Sequence, residues 1–113
     1  MKTVIAGSRN IQSMHILIEA LVEADFEITE VVSGGARGVD LMGEEYAKLK
    51  GIPIKRFIPD WSVGKWAGFA RNKEMAKYAD AAVILWDGKS RGTKNMIDNA
   101  RKEGLKVFVK VEI

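Results

Sequence analysis

The stretch Ala81-Ala82-Val83-Ile84-Leu85-Trp86 decides the fold: six apolar residues run without the alternation of a half-solvated strand. Such a strand is buried on both faces, as in a parallel sheet covered by helices on either side. Thr3-Val4-Ile5-Ala6, Val31-Val32, Ile52 to Phe57 and Lys106 to Val111 also read as strands, being short, β-branched and bounded by glycine, proline or charge. Helical periodicity fills the intervals. Ile11, Met14, Leu17, Ile18, Leu21 and Val22 fall on one face, and Val39, Met42, Tyr46, Ala47 and Leu49 do so less strictly. A third helix is expected from about Gly64 to Tyr78, with Phe69, Met75, Ala76 and Ala79 inward. A fourth runs from about Thr93 to Glu103 and stops at Gly104, a residue suited to the position after a helix.

Strict βαβ alternation implies right-handed crossovers and hence an α/β, three-layer Rossmann-like sandwich on a five-stranded parallel sheet. Five strands admit the orders 3-2-1-4-5 and 2-1-3-4-5. We take the first as the expected order; it sets strands one and four side by side at the switch point, beyond whose carboxyl ends ligands bind.

A chain of 113 residues makes one domain, residues 1–113, with a single core. Its 47% apolar and 29% charged residues are those of an ordinary globular protein rather than a disordered one. Without cysteine there are no disulfides or thiolate metal sites, and one histidine excludes a multi-histidine site, so no metal and no cofactor is expected. The apolar run in Met1-Lys2-Thr3-Val4-Ile5-Ala6-Gly7 is far shorter than a signal segment or membrane span, which makes a cytoplasmic, non-membrane protein the expectation. Residues 1–60 hold seven Lys/Arg against nine Asp/Glu and residues 61–113 eleven against six, so the halves carry −2 and +5. A basic second half suits nucleotides or a nucleic-acid backbone, and equally suits solvated helix faces.

Ser33-Gly34-Gly35-Ala36-Arg37-Gly38-Val39-Asp40 is a glycine loop that opens onto a helix. Glycine lets backbone N–H groups turn inward, and the helix adds the positive end of its dipole, a combination that holds phosphate. The octet lacks the Lys-Ser/Thr pair of the P-loop and is not a G-x-G-x-x-G fingerprint. Two further glycine loops, Gly7-Ser8-Arg9 and Asp87-Gly88-Lys89-Ser90-Arg91-Gly92-Thr93, follow strands one and four. In a parallel sheet all three share one rim. The candidate ligand-binding residues there are Gly7, Ser8, Arg9, Ser33, Gly34, Gly35, Ala36, Arg37, Gly38, Asp40, Gly88, Ser90, Gly92 and Thr93. Ser33 adds a hydrogen bond or finishes its strand; Asp40 binds a ribose hydroxyl or buttresses the loop; Thr93 caps its helix or touches ligand oxygen. Arg71-Asn72 offers a guanidinium fork and an amide, groups that match a nucleotide's polar edge or a solvated helix face. Trp61 and Trp66 are candidates for stacking or rim packing, Trp86 for the core, and His15 for the surface.

Ile5-Ala6-Gly7-Ser8-Arg9, the octet, Pro59-Asp60-Trp61, Ala67-Gly68-Phe69-Ala70-Arg71-Asn72 and Trp86 to Thr93 together resemble the SLOG superfamily, in particular its small YspA-like members. The resemblance spans nearly the whole chain. It implies a Rossmann-like fold that binds nucleotides, nucleotide derivatives or single-stranded nucleic acid, and it moves Arg71 and Asn72 into the site. The Smf/DprA-type DNA-processing proteins carry a similar octet and Arg-Asn pair, but are longer. The lonely-guy phosphoribohydrolases follow a Gly-Gly-x-Gly-Thr loop with a catalytic glutamate two or three residues on, where this chain has Asn95 and Met96. Asp87, Asp60, Glu44 and Asp98 are other acids, none singled out by spacing, so the catalytic residues stay unassigned. The expected function is nucleotide binding, as in a sensor or sequestering protein of a phage or bacterial conflict system; phosphoribohydrolase or N-glycosidase activity and single-stranded DNA binding are the alternatives. Related folds often dimerise and complete a pocket across the interface, which admits a homodimer.

Overall fold

In the computed structural model, which describes residues 1–112, the chain runs β1 (Lys2–Gly7), α1 (Met14–Ala24), β2 (Glu30–Ser33), α2 (Val39–Lys50), β3 (Ile54–Arg56), α3 (Ala67–Tyr78), β4 (Ala81–Trp86), α4 (Arg91–Lys102) and β5 (Lys106–Val111). All neighbouring strands are parallel and the sheet order is β3-β2-β1-β4-β5, the expected one. The chain first winds outward from β1 through β2 to β3, then crosses back to β4 beside β1. Right-handed crossovers in opposite directions place the helices on opposite faces.

The side-chain alternation of the strands explains the unbroken apolar run. Val4, Ala6, Val32, Ala82 and Ile84 pack against Met75 and Ala76 of α3 and Met96, Ile97 and Ala100 of α4. On the other face Ile5, Val31, Val83 and Leu85 meet Leu17 and Ala20 of α1 and Val39, Met42 and Ala47 of α2. Ala81 to Leu85 are accordingly fully buried. Trp86, expected in the core, is instead half-buried at the strand's end, where its indole N–H donates to the Ser90 carbonyl at 3.1 Å.

Several boundaries and faces differ from expectation for local reasons. α3 starts at Ala67 rather than near Gly64. Asp60 accepts from the Ser62 amide and hydroxyl and caps a separate 3₁₀ turn over Trp61–Val63, and Gly64 at φ 123° ends that turn. The β3 pairing covers Ile54–Arg56 only, because Pro53 has no N–H to donate. α4 begins at Arg91, since the Ser90 hydroxyl and not that of Thr93 is the cap, accepting from the Thr93 amide at 3.3 Å. Val22 (71% exposed) and Ile18 (38%) leave the α1 stripe; at 3.6 residues per turn Val22 lies about 140° around the helix from Leu17. Leu49, in the last turn of α2, and Phe69, in the first turn of α3 where it lines the rim cleft, are also exposed. His15 is on the surface beside Glu19.

Gly7 closes the central pair. A Cβ there would run into the Leu85 carbonyl and stand 2.7 Å from Val39 Cγ2, so the end of β1 touches β4 and α2 at once. Neither a backbone carbonyl nor a buried valine can swing aside cheaply. Gly7→Ala is therefore expected to lower stability by about 2 kcal/mol or more, read from urea denaturation midpoints; a change below about 0.5 kcal/mol would mean the contact relaxes freely.

Candidate functional site

Three loops leave the carboxyl ends of β1, β2 and β4 and meet on one rim. The loops after β1 and β4, the adjacent strands of the switch point, bind each other through hydroxyls: Ser8 Oγ accepts from the Asp87 amide at 3.1 Å and lies 3.3 Å from Thr93 Oγ1, which lies 3.0 Å from Ser90 Oγ. Asp87 turns its loop by accepting from the Lys89 and Ser90 amides at 2.9 and 2.7 Å, and these bonds hold its carboxyl below the ordinary range. Ser8 and Thr93 are buried at the cleft floor.

The octet is braced from behind. Ser33 Oγ donates to Glu44 at 2.6 Å and accepts from the Gly35 amide at 3.1 Å, while Arg56 Nε holds the same Glu44 oxygen at 3.0 Å. Ser33 thus finishes its strand and pins the loop. Asp40 Oδ2 accepts from the Ala36 amide at 3.2 Å, the buttress reading of that residue. Arg71 Nη1 donates to the Gly34 carbonyl at 2.6 Å, and Arg71 Nε donates to Asn72 Oδ1 at 3.0 Å. Asn72 Nδ2 then reaches the Gly92 carbonyl at 3.2 Å and Asn95 Oδ1 at 3.1 Å. Arg71-Asn72 therefore joins the octet to the start of α4. Gly34 is what makes room, for a Cβ there would overlap Arg71 Nη1 and come within 2.8 Å of Asp40 Oδ2.

The rim encloses a cavity of about 460 Å³, beside a second of about 240 Å³. Gly7, Ser8, Arg9, Ala36, Asp40, Arg71, Asn72, Ser90, Gly92 and Thr93 line the larger; Gly34, Gly35 and Arg37 line the smaller. Ser33, Gly38 and Gly88 line neither. Gly38 instead serves the close approach of α2 to the Arg9 backbone, 2.7 Å from where its Cβ would be. The structure adds Asn10 and Lys65 to the cleft, which no spacing in the sequence marked, and also Trp61 and Asp87. The other acids lie elsewhere: Asp60 caps the 3₁₀ turn, Glu44 braces Ser33, and Asp98 pairs with Lys94 at the surface. At the positions where the resemblance places a catalytic glutamate, Asn95 is bound to Asn72 and Asn99, and Met96 is core.

Burial sets the electrostatics. Desolvation raises the Asp40 carboxyl from 3.8 to about 6, against the Ala36 N–H and the Arg71 charge, which lower it. Burial likewise lowers the Arg71 guanidinium, an effect that Asp40 opposes and the nearby Arg9 charge adds to. Exposed Arg9 and Lys65 form no ion pair among the described residues.

A doubly wound parallel sheet with glycine loops at its switch point defines a Rossmann-like α/β protein. Residues 1–64 match the model of the YspA, cpYpsA-related SLOG family, and the chain belongs to that family. No curated protein is a significant match. Among solved structures, DNA processing protein A (DprA) from Streptococcus pneumoniae superposes with a TM-score of 0.73 at 20% identity, over 96% of this chain and 49% of the other. TM1055, a structural genomics target, superposes with a TM-score of 0.63 at 21% identity, over 95% of this chain and 72% of that one. The chain thus spans about half the length of the DprA chain and shares its fold.

The Asp40 shift has a stability consequence. The folded carboxyl keeps its proton to about pH 6, whereas the unfolded one releases it near 3.8, so the folded state binds more protons between those values. Stability from this group is therefore full below about pH 4, falls as pH rises to about 6, and is flat above. Relative to Asp40→Asn, the wild type should lose on the order of 2–3 kcal/mol across that interval, measured by urea denaturation at stepped pH. A parallel pH course in the two proteins would refute the assignment.

Proposed function

We propose that the chain binds a nucleotide or nucleotide-derived small molecule in the rim cleft and acts by binding it, as a sensor or a sequestering protein does. The observation that carries this reading is the convergence of three glycine loops on a cavity of about 460 Å³, within the size range of small-molecule sites. Each part of a nucleotide has a chemical partner on its walls. The free cations Arg9 and Lys65 and the positioned Arg71 suit phosphate; the hydroxyls of Ser90 and Thr93 suit a ribose; the exposed ring of Trp61 suits a base. Membership of the SLOG family supports the same class of ligand, while the fold shared with DNA processing protein A makes single-stranded DNA the comparison to test against. A hydrolytic role is less favoured, since the two positions where the resemblance places a glutamate hold Asn95, bound to Asn72 and Asn99, and Met96, a buried thioether on the cleft wall, and neither is an acid.

Titration calorimetry with AMP, ADP and cyclic AMP tests the reading, with a labelled single-stranded oligonucleotide as the nucleic-acid comparison. At least one mononucleotide is expected to bind in the micromolar range or tighter, and Arg9→Ala to weaken it about tenfold. Arg9 is exposed, so the thermal midpoint of that variant should stay within about 2 °C of wild type. Failure of every mononucleotide to bind, or affinity indifferent to Arg9→Ala, would reject the site; preference for the oligonucleotide would transfer it to nucleic acid.

A further inference from the structure

The two edges of the sheet are built differently. At one, β3 has three residues, begins directly after Pro53 and carries the exposed charges of Lys55 and Arg56. Short length, proline and charge are what keep a strand edge from pairing with another chain. At the other, β5 runs for six residues, Lys106-Val107-Phe108-Val109-Lys110-Val111, without proline or glycine. Lys110 Nζ is drawn to Glu23 of α1 at 3.0 Å, so its charge does not guard the edge.

The hydrogen bonds fix which backbone groups of β5 are open. Lys106 N–H donates to the Asp80 carbonyl at 3.1 Å and Glu112 N–H to the Trp86 carbonyl at 2.8 Å, so the even-numbered residues face β4. The N–H and C=O of Val107, Val109 and Val111 accordingly point outward, where the sheet order ends and no further strand lies among the described residues. No residue of β5 is fully buried, whereas Ala81 to Leu85 of β4 all are.

We infer that this edge receives the β5 of a second copy of the chain, antiparallel across a two-fold axis at Val109, so that the same strand serves on both sides. Outward residues must oppose outward residues, and the registers open to such a pair therefore differ by steps of two. Centred on Val109, the register sets Val107 opposite Val111, Phe108 opposite Lys110 and Lys106 opposite Glu112. A shift of two residues one way brings Lys106 opposite Lys110; the other way brings Lys110 opposite its own copy. Larger shifts pair at most half of the strand. Opposite charges stabilise a directly opposed pair and like charges destabilise it, which selects the Val109 register. One face of the joint is then valine throughout. It continues the core beneath α4, against which Val107 and Val109 already pack, and it covers Val111, 49% exposed in the single chain. The other face carries the complementary charges, and neither Lys106 nor Glu112 forms an ion pair within the chain among the described residues. Two five-stranded sheets become one of ten. Because the copies run oppositely, their rim clefts open in opposite directions, and this joint leaves each cleft to its own chain.

Sedimentation velocity of the chain from about 1 to about 200 μM tests the joint. The mass should rise from 12.5 kDa toward twice that value with a midpoint in the micromolar range. Lys106→Glu sets Glu opposite Glu and Glu112→Lys sets Lys opposite Lys, each at both ends of the joint. Either should weaken association about tenfold, and the double variant, whose net charge equals that of the wild type, should return it to within about twofold. A chain that stays monomeric at about 200 μM overturns the inference. So does a dimer indifferent to both reversals, or a double variant no tighter than the single ones.

Discussion

The junction of Arg71, Gly34 and Asp40 is the constraint on which the rest of the rim depends. Arg71 comes from α3 on one face of the sheet and Asp40 from α2 on the other, and they meet around a residue without a side chain in the loop after β2. Asp40 is 4% exposed, and an isolated carboxylate there would be costly; the Ala36 amide and the neighbouring guanidinium are what allow it. The dependence is mutual, because Arg71 is partly desolvated and draws support from Asp40. Loss of either charge leaves the other poorly compensated inside the rim, where the penalty is paid in loop order as well as stability.

From this junction the order of the cleft spreads through backbone carbonyls rather than through side chains. Arg71 takes the Gly34 carbonyl and Asn72 takes that of Gly92, so one dipeptide on α3 fixes loops that belong to β2 and β4. The third loop needs no such strap. Ser8 is tied directly to Leu85 and Asp87 by hydrogen bonds of 3.0 and 3.1 Å, because β1 and β4 are adjacent. The topology explains the difference: the octet is one strand away from the switch point, and the long Arg71 side chain spans that distance from the opposite helix layer.

The fold was legible because its signal is carried by the strands themselves. Ala81 to Trp86 and the alternation of strand and helix leave little besides a parallel, doubly covered sheet, and of the two orders that five such strands admit the structure has the expected 3-2-1-4-5. The helix faces were less legible in terminal turns, as at Leu49 and Phe69; apolar spacing does not tell a core position from an exposed one or from the wall of a cleft. In the site, the loops were visible as glycine clusters, and Arg71-Asn72 through family resemblance. Their division of labour was not. Whether Ser33 faces a ligand or Glu44 depends on an acid eleven residues on and an arginine from β3, a tertiary fact with no local pattern. Lys65 and Asn10 each stand next to a glycine segment, after Gly64 and after Gly7-Ser8-Arg9, but nothing in their residue types singled them out.

The distribution of mobility and charge at the rim follows from the same division. The braced groups, Asp40, Asn72, Ser8 and Thr93, are buried and hydrogen-bonded before any ligand arrives, so their geometry costs nothing at the moment of binding. Arg9, Lys65 and Trp61 are exposed, and any ordering they undergo is charged against affinity. A site that binds as proposed would read the shape of its ligand with this floor and its charge with the free side chains above. Under the proposed nucleotide reading, discrimination between ligands belongs to this buried floor, while the exposed cations govern how quickly and how salt-sensitively an anion is captured.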